Sequence, residues 1–174
     1  MNNSVELNHF KGFSGNALIK MADNSDKKVS ELKKGDFVLG NYKVKCIIKS
    51  FVNEKLDLID INSLLISPMN LIFVDSEWIY PKNNFLSRKV NIDILYNIVL
   101  ETGEAIILNN IHVLTLGHYI STSLDADENL RKDMIYSRNL LNYIVKNDGW
   151  EDGNVILNEP LSLNNLFNSL SLNN

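Results

Sequence analysis

Between Phe37 and about Leu116 the sequence consists of short apolar, β-branched segments separated by tight turns. The clearest of these segments are Val44 to Ile48, Leu56 to Ile61, Leu64 to Ser67, Leu95 to Leu100 and Ala105 to Leu108. Gly, Asn and Asp between them are typical of turns. Such short connections join antiparallel strands, because a parallel pair needs a crossover of about a dozen residues or more. The pattern therefore predicts an all-β fold of antiparallel sheet.

The pattern changes after Ile120. From Asp125 to Lys146 apolar residues recur at helical spacing, and the shared face carries Leu130, Met134, Leu141 and Ile144. A turn at 147–149 ends this predicted helix, and a short strand follows at Val155 to Leu157. The C-terminal tail has a second apolar face, which either completes the protein's own core or packs against another chain; it consists of Leu163, Leu166, Phe167 and Leu170. We therefore divide the chain into an N-terminal arm (1–11), a β domain (12–120) and an extension of helix and strand (121–174) that packs on or beside the domain.

Composition argues against several classes of function. The chain has 174 residues, a formal net charge of −4 and one cysteine, Cys46. Nucleic-acid binding requires clustered Lys and Arg, and the sequence has neither metal-ligand spacing nor a phosphate-binding glycine loop. No apolar run reaches the roughly 18 residues of a membrane span, and the N-terminus has no signal-peptide pattern. We therefore expect an intracellular, cytoplasmic protein without metal, cofactor, nucleic-acid partner or membrane contact.

Four segments, in order and spacing, resemble the Hint (hedgehog/intein) superfamily. Residues 12–19 (GFSGNALI) resemble the opening motif, a Cys followed by Phe, a small residue, Gly, Asp and Thr. Residues 29–39 (VSELKKGDFVL) are similar to the signature V-x-x-L-x-x-G-D-x-V-L. Residues 66–78 resemble the segment that carries Thr-Pro-x-His, a strand and a Trp, and residues 95–118 resemble the closing hairpin. The resemblance implies a Hint-like antiparallel β disk over 12–120 with a C-terminal helical extension.

The ending Thr-Leu-Gly-His at 115–118 is similar to one subgroup, found in von Willebrand-linked Hint domains and in protist and viral relatives. In the superfamily a thiol or hydroxyl on the first residue attacks the preceding carbonyl, and a histidine of the Thr-x-x-His block polarises that peptide. Hedgehog relatives then pass the ester to another nucleophile, and inteins cyclise a terminal Asn.

The residues at the reactive positions differ from this pattern. Gly12 occupies the nucleophile position and has no side chain. Asn70 occupies the histidine position, where it forms hydrogen bonds but does not titrate near neutral pH. Ser67, Thr115 and His118 complete the set of vestigial positions that the resemblance implies. We therefore expect no catalytic residue in this chain.

Two other side chains offer a displaced nucleophile. The hydroxyl of Ser14 lies about 6–7 Å along an extended chain from the nucleophile position, whereas reacting atoms lie about 3–3.5 Å apart. Cys46 falls within a predicted strand and is expected to be a small buried side chain. His118 is either a remnant of the catalytic centre or a hydrogen-bonding group that ties the closing hairpin, and His9 and His112 are predicted to face water.

The leading hypothesis is a catalytically inactive Hint-fold module with a structural or protein-interaction role. Scaffold positions persist while the reactive positions do not; the scaffold positions are Gly35, Asp36, Trp78, Tyr96 and Gly117. The bias towards Asn, Ile, Lys and Leu is typical of AT-rich genomes, so one candidate assembly is a large DNA virus particle, with the Leu-rich tail as a contact for a protein partner. The alternative is residual self-processing that uses Ser14 or Cys46, with Thr115 and His118 in support.

Overall fold

A computed structural model of the chain describes residues 10–118 and 128–162, apart from the side chain of Asn129. These residues form sixteen strands, one α-helix and two 3₁₀ turns. The strands are β1 (Phe10–Lys11), β2 (Phe13–Ser14), β3 (Leu18–Lys20), β4 (Asp26–Lys28), β5 (Phe37–Val38), β6 (Tyr42–Phe51), β7 (Leu56–Ile61), β8 (Leu64–Ile66), β9 (Ile72–Val74), β10 (Glu77–Ile79), β11 (Ser87–Val90), β12 (Ile94–Leu100), β13 (Ala105–Leu108), β14 (Ile111–Leu114), β15 (Asn154–Leu157) and β16 (Leu161–Ser162). The helix α1 spans Glu128–Ile144, and the 3₁₀ turns span Val29–Glu31 and Pro81–Asn83.

The larger sheet has eight strands. Seven follow in the order β11-β7-β8-β2-β12-β6-β15, and β5 pairs with β6 outside this row. At its centre β12 and β6 run antiparallel, from Ile94 opposite Phe51 to Leu100 opposite Val44. β15 lies parallel to β6, the one parallel pair among the described strands. The chain that connects β6 to β15 covers residues 52–153 and includes α1, so it is longer than the crossover of about a dozen residues that a parallel pair requires.

The second sheet has six antiparallel strands in the order β10-β9-β14-β13-β3-β4. A third, two-stranded sheet pairs β1 with β16, with Phe10 opposite Ser162 and Lys11 opposite Leu161. The segment that precedes Gly12 is therefore held by backbone hydrogen bonds to the end of the described chain.

The predicted all-β, antiparallel fold is confirmed. β7 and β13 have the bounds that the sequence predicts, and the other predicted strands differ from the observed ones by one to a few residues at their ends. Alternating strand residues bury one face in an apolar core formed by both sheets. Its central members include Phe13, Ile19, Val44, Ile59, Ile66, Ile98, Ile106 and Val113.

The segment that matches V-x-x-L-x-x-G-D-x-V-L turns the chain from the second sheet into the first. Val29 is buried at the start of the 3₁₀ turn. The carboxylate of Asp36 accepts hydrogen bonds from the backbone N–H of Lys33 at 2.9 Å and from Lys27 Nζ at 2.7 Å. The backbone carbonyl of Asp36 accepts from the N–H of Val44 at 2.8 Å. The aspartate therefore fixes the turn that leads into β5 and β6.

The helix packs on the larger sheet, but through a face rotated from the predicted one. Leu140 and Ile144 contact a cluster that includes Cys46 and Val155. The buried residues of α1 are Asp133, Ser137, Leu140 and Ile144, whereas Leu130, Met134 and Leu141 are only half-buried. The prediction counted apolar residues alone, and it missed this face because two of its members are polar and find polar partners inside the fold.

Two predictions fall outside the described residues. His9 lies in the segment 1–9, and the Leu-rich tail lies in 163–174. Within the described part of the chain, no helix combines the length and the apolar character that a bilayer crossing requires.

Candidate functional site

The position where the Hint reaction would begin lies between β1 and β2, at the peptide bond that joins Lys11 to Gly12. Both flanking strands are two residues long, and their residues are buried. This peptide therefore lies inside the protein, at the point where the small sheet meets the larger one.

The N–H side of the peptide is held by the loop between β8 and β9. The N–H of Gly12 donates to Asn70 Oδ1 at 2.7 Å, and Ser67 Oγ donates to the same oxygen at 2.7 Å. The N–H of Ser67 in turn donates to the carbonyl of Gly12 at 2.9 Å. Because the N–H of Gly12 can only donate, it fixes the amide orientation of Asn70 with Oδ1 towards Gly12, and the Ser67 hydroxyl then donates to the same oxygen. Asn70 therefore contacts the peptide that, as the resemblance implies, a histidine at this position would polarise.

The carbonyl side of the same peptide is held by the centre of the larger sheet. Asn97, on β12, donates from Nδ2 to the carbonyl oxygen of Lys11 at 3.1 Å. A donor at this oxygen would stabilise the negative charge that develops when a carbonyl is attacked. We call Ser67, Asn70 and Asn97 the peptide clamp, since together they hold both polar atoms of one peptide bond.

Gly12 cannot carry a nucleophile in this conformation. Its φ is +148°, a value that L side chains rarely adopt, and a Cβ atom added there would lie 2.9 Å from the Cβ of Leu95. Leu95 is fully buried on β12, so the collision involves a side chain packed in the core. Gly12 thus has no side chain to act as a nucleophile, and the space beside it is filled by Leu95.

A charged cluster of Lys11, Asp133 and His118 lies beside the clamp. Lys11 Nζ forms an ion pair with Asp133 Oδ1 at 2.5 Å, and it also donates to the carbonyl of Met69 at 3.0 Å. His118 Nε2 lies 3.0 Å from the other carboxylate oxygen of Asp133. All three side chains are at most 3% exposed. Lys11 therefore contacts the peptide clamp through its backbone carbonyl and the helix through its side chain.

The Asp133 carboxylate is held in its charged form. Burial by itself raises its pKa, but the charge of Lys11 and the hydrogen bonds from His118 and Lys11 outweigh burial and bring the pKa below the ordinary value. With Asp133 ionised, His118 donates from Nε2. Its Nδ1 is buried and has no hydrogen-bond partner among the described residues.

The structure brings together three of the five vestigial positions, namely Gly12, Ser67 and Asn70. His118 does not contact them directly; it reaches Lys11 through Asp133. The hydroxyl of Thr115 donates to the carbonyl of Glu104 at 3.0 Å, inside the closing hairpin.

The end of the closing hairpin is tied to the helix. The N–H of Gly117 donates to Ser137 Oγ at 3.2 Å. Its φ is +73°, and an added Cβ would lie 2.4 Å from a methyl carbon of Leu141. The positive φ therefore favours glycine at this position, and a larger residue would also require the Leu141 side chain to move.

The two candidate displaced nucleophiles lie on β2 and β6, which both pair with β12. Ser14 lies on β2 opposite Leu95, two residues along the chain from Gly12. Cys46 is fully buried in the apolar cluster under α1, opposite Val99 on β12. Burial raises the pKa of the Cys46 thiol, so the reactive thiolate is disfavoured. Cys46 is buried, as predicted.

Sequence reasoning missed three residues of the site: Lys11, Asn97 and Asp133. Asn97 had a usable signal, because it is a polar residue inside the otherwise apolar strand β12, and its side chain is buried. Lys11 and Asp133 gave no local signal. They are 122 positions apart; Lys11 falls in the predicted arm, and Asp133 is not among the residues of the predicted apolar helix face.

No group of three or more metal-ligating side chains occurs among residues 10–118 and 128–162. A comparison with curated proteins finds no match. A family model described as Vint, a Hint domain, matches residues 11–160, which include both halves of the site and the helix. The chain therefore belongs to the Hint-domain family Vint.

Proposed function

We propose that this Hint domain no longer cleaves its own backbone and instead acts as a structural or protein-interaction module that keeps its N-terminal segment attached. The observation that carries the proposal is the state of the Lys11–Gly12 peptide. The clamp residues hold its N–H and its carbonyl, yet Gly12 supplies no attacking group and has no room for one.

Burial of the peptide also supports retention. Lys11 and Asn70 are each 2% exposed, and Asn97 is 1% exposed. A solvent water molecule therefore has no open path to the carbonyl that Asn97 polarises. In this setting the two asparagines satisfy buried backbone groups that would otherwise each cost about 1–3 kcal/mol.

The test is the intact mass of the chain after expression with a natural or neutral extension before Met1. The proposal predicts one species that retains the extension. The variant Ser14→Ala and the variant Cys46→Ala serve as controls, since each removes one displaced nucleophile. A fragment that ends at Lys11 or Phe13, and that disappears in one of these variants, would establish self-processing and refute the proposal.

The interaction role concerns a protein partner, and a large DNA virus particle is the assembly we propose. The Leu-rich tail, residues 163–174, is the segment we propose as its contact. The full chain and a chain that ends at Ser162 can be compared by sedimentation and by affinity capture from the native source. A specific partner that depends on the tail would support the role, whereas a monomer that captures no partner in either form would remove it.

A further inference from the structure

The most unusual feature outside the peptide clamp is the environment of the Lys11 side chain. Its ammonium group contacts the carboxylate of Asp133, the carbonyl of Met69 at 3.0 Å and the ring of Tyr136, whose centroid lies 5.2 Å away. An ammonium has three N–H donors and interacts favourably with an aromatic face, so each of these groups matches its chemistry.

We infer that helix α1 builds a lysine-selective subsite for the residue that precedes Gly12, and that recognition of this side chain holds β1 in place beside the peptide clamp. The inference deepens the proposed function, since it names the group that the inactive site binds. The ligand of the subsite is the Lys11 side chain of the same polypeptide.

The subsite is assembled from three parts of the chain: helix α1, the loop that contains Met69, and His118. Asp133 and Tyr136 lie three residues apart on α1, a spacing that places them on neighbouring positions of one helix surface. Met69 directly precedes Asn70, so its carbonyl is positioned by the same loop that holds the N–H of Gly12. His118 supports the second oxygen of Asp133. The backbone and the side chain of Lys11 are thus recognised together.

The chemistry of these groups favours lysine over other residues. A neutral side chain at position 11 would leave the Asp133 carboxylate buried without its cation. Arginine has the charge, but its planar fork differs from the compact ammonium that meets a carboxylate, a carbonyl and a ring face from different directions. A pair of apolar residues would fill the same volume without the cost of removing two charges from water. We therefore assign the ion pair to selectivity, since two apolar residues of the same volume would serve stability at least as well.

Hydrogen exchange of single backbone amides tests the inference in the full-length chain. The Gly12 amide reports opening of the recognised segment, because it donates to Asn70. The Val29 amide, which donates to the carbonyl of Ala17 at 2.9 Å, reports unfolding elsewhere. The substitution Lys11→Met is expected to accelerate Gly12 exchange about a hundredfold or more, and Lys11→Arg about tenfold, with smaller changes at Val29.

The decisive comparison asks whether removal of Asp133 reverses the preference for lysine over methionine at position 11. In the Asp133→Leu background, methionine at position 11 is expected to protect the Gly12 amide better than lysine does, the opposite of the order in the natural chain. The exposed Asp60, which pairs with Arg88, provides the control, and Asp60→Leu should leave the order unchanged. The inference is refuted if Lys11→Met exchanges within threefold of the natural chain, or if the order of methionine and lysine is the same in both backgrounds. Intact mass is measured on the same samples, so cleavage, which would refute the proposed function, is seen separately from a loss of selectivity.

Discussion

The two halves of the site hold neighbouring groups by different interactions: one holds the Lys11–Gly12 peptide bond and the other holds the Lys11 side chain. The peptide clamp uses neutral amide and hydroxyl groups, supplied by a loop and a central strand within the Hint motifs, to hold backbone atoms. The charged cluster uses an ion pair between groups 122 positions apart to hold a side chain. Neutral hydrogen bonds cost little to bury once they are paired, whereas buried charges must be paired with good geometry or they destabilise the fold. The clamp contains the positions that match the Hint motifs. The cluster is the part where a substitution should lower the stability of the fold most.

The largest effect is expected from breaking the charged cluster. Asp133→Ala leaves the ammonium of Lys11 buried without its counter-charge and should lower the free energy of unfolding by about 3–5 kcal/mol. Urea unfolding measures the loss. Asp60→Ala, which breaks an exposed pair with Arg88, should cost no more than about 1 kcal/mol. If the two variants lose similar stability, the contrast between buried and exposed pairs does not hold.

The next effect concerns the position between the two halves. Gly12→Ala adds the smallest possible side chain at a φ of +148° and against Leu95, so it should cost about 1–3 kcal/mol from backbone strain, with the collision adding to that. Gly35→Ala is a matched control, since Gly35 also has positive φ but no atom within 4 Å of an added Cβ. The midpoint of thermal unfolding should be clearly lower for Gly12→Ala than for Gly35→Ala. Equal losses would mean that the site can accept a side chain.

Removing one residue of the peptide clamp tests how much its neutral hydrogen bonds contribute to stability. Asn97→Ala leaves the Lys11 carbonyl buried without a donor and should lower the free energy of unfolding by about 1–3 kcal/mol. Ser25→Ala removes an exposed hydrogen bond to Asp23 and should change stability by no more than about 0.5 kcal/mol. If urea unfolding shows the same free energy for Asn97→Ala as for the natural chain, the Lys11 carbonyl must find another hydrogen-bond partner.

The smallest effect is a difference in acid sensitivity. The pKa of Asp133 is lower in the folded state than in the unfolded chain, so its ionised form stabilises the fold above the unfolded pKa of about 3.9. This contribution is lost as the pH falls through the folded pKa. Asp133→Asn should therefore show a smaller loss of stability between pH 6 and pH 3 than the natural chain. Identical pH profiles for Asp133→Asn and the natural chain would contradict the assignment.

The same contrast explains what could be predicted from the sequence. The strands follow from the apolar segments and their turns, since period-two burial is a local property of the chain. The positions of Gly12, Ser67 and Asn70 follow from the resemblance to the Hint motifs, and the structure places these three together. What this trio does chemically stays a prediction.

The charged cluster could not be predicted in this way. An ion pair between Lys11 and Asp133 depends on how β1, the closing hairpin and α1 pack, and no local pattern encodes that packing. Apolar periodicity also placed Met134 on the buried helix face, where the structure buries Asp133 and Ser137 instead. A polar residue that is buried because it has a distant partner looks like a surface residue in a sequence. Asn97 was detectable only because the residues around it are apolar.

The most direct test of the loss of self-cleavage uses hydroxylamine, which cleaves esters and thioesters and leaves ordinary peptide bonds intact. The chain, expressed with an N-terminal extension, is incubated with the reagent and its intact mass is followed over time. A domain without a nucleophile at Gly12 predicts a single, unchanged mass that includes the extension. A growing fragment that ends at Lys11 would mean that an acyl shift still occurs at this peptide, and it would contradict the loss of cleavage directly.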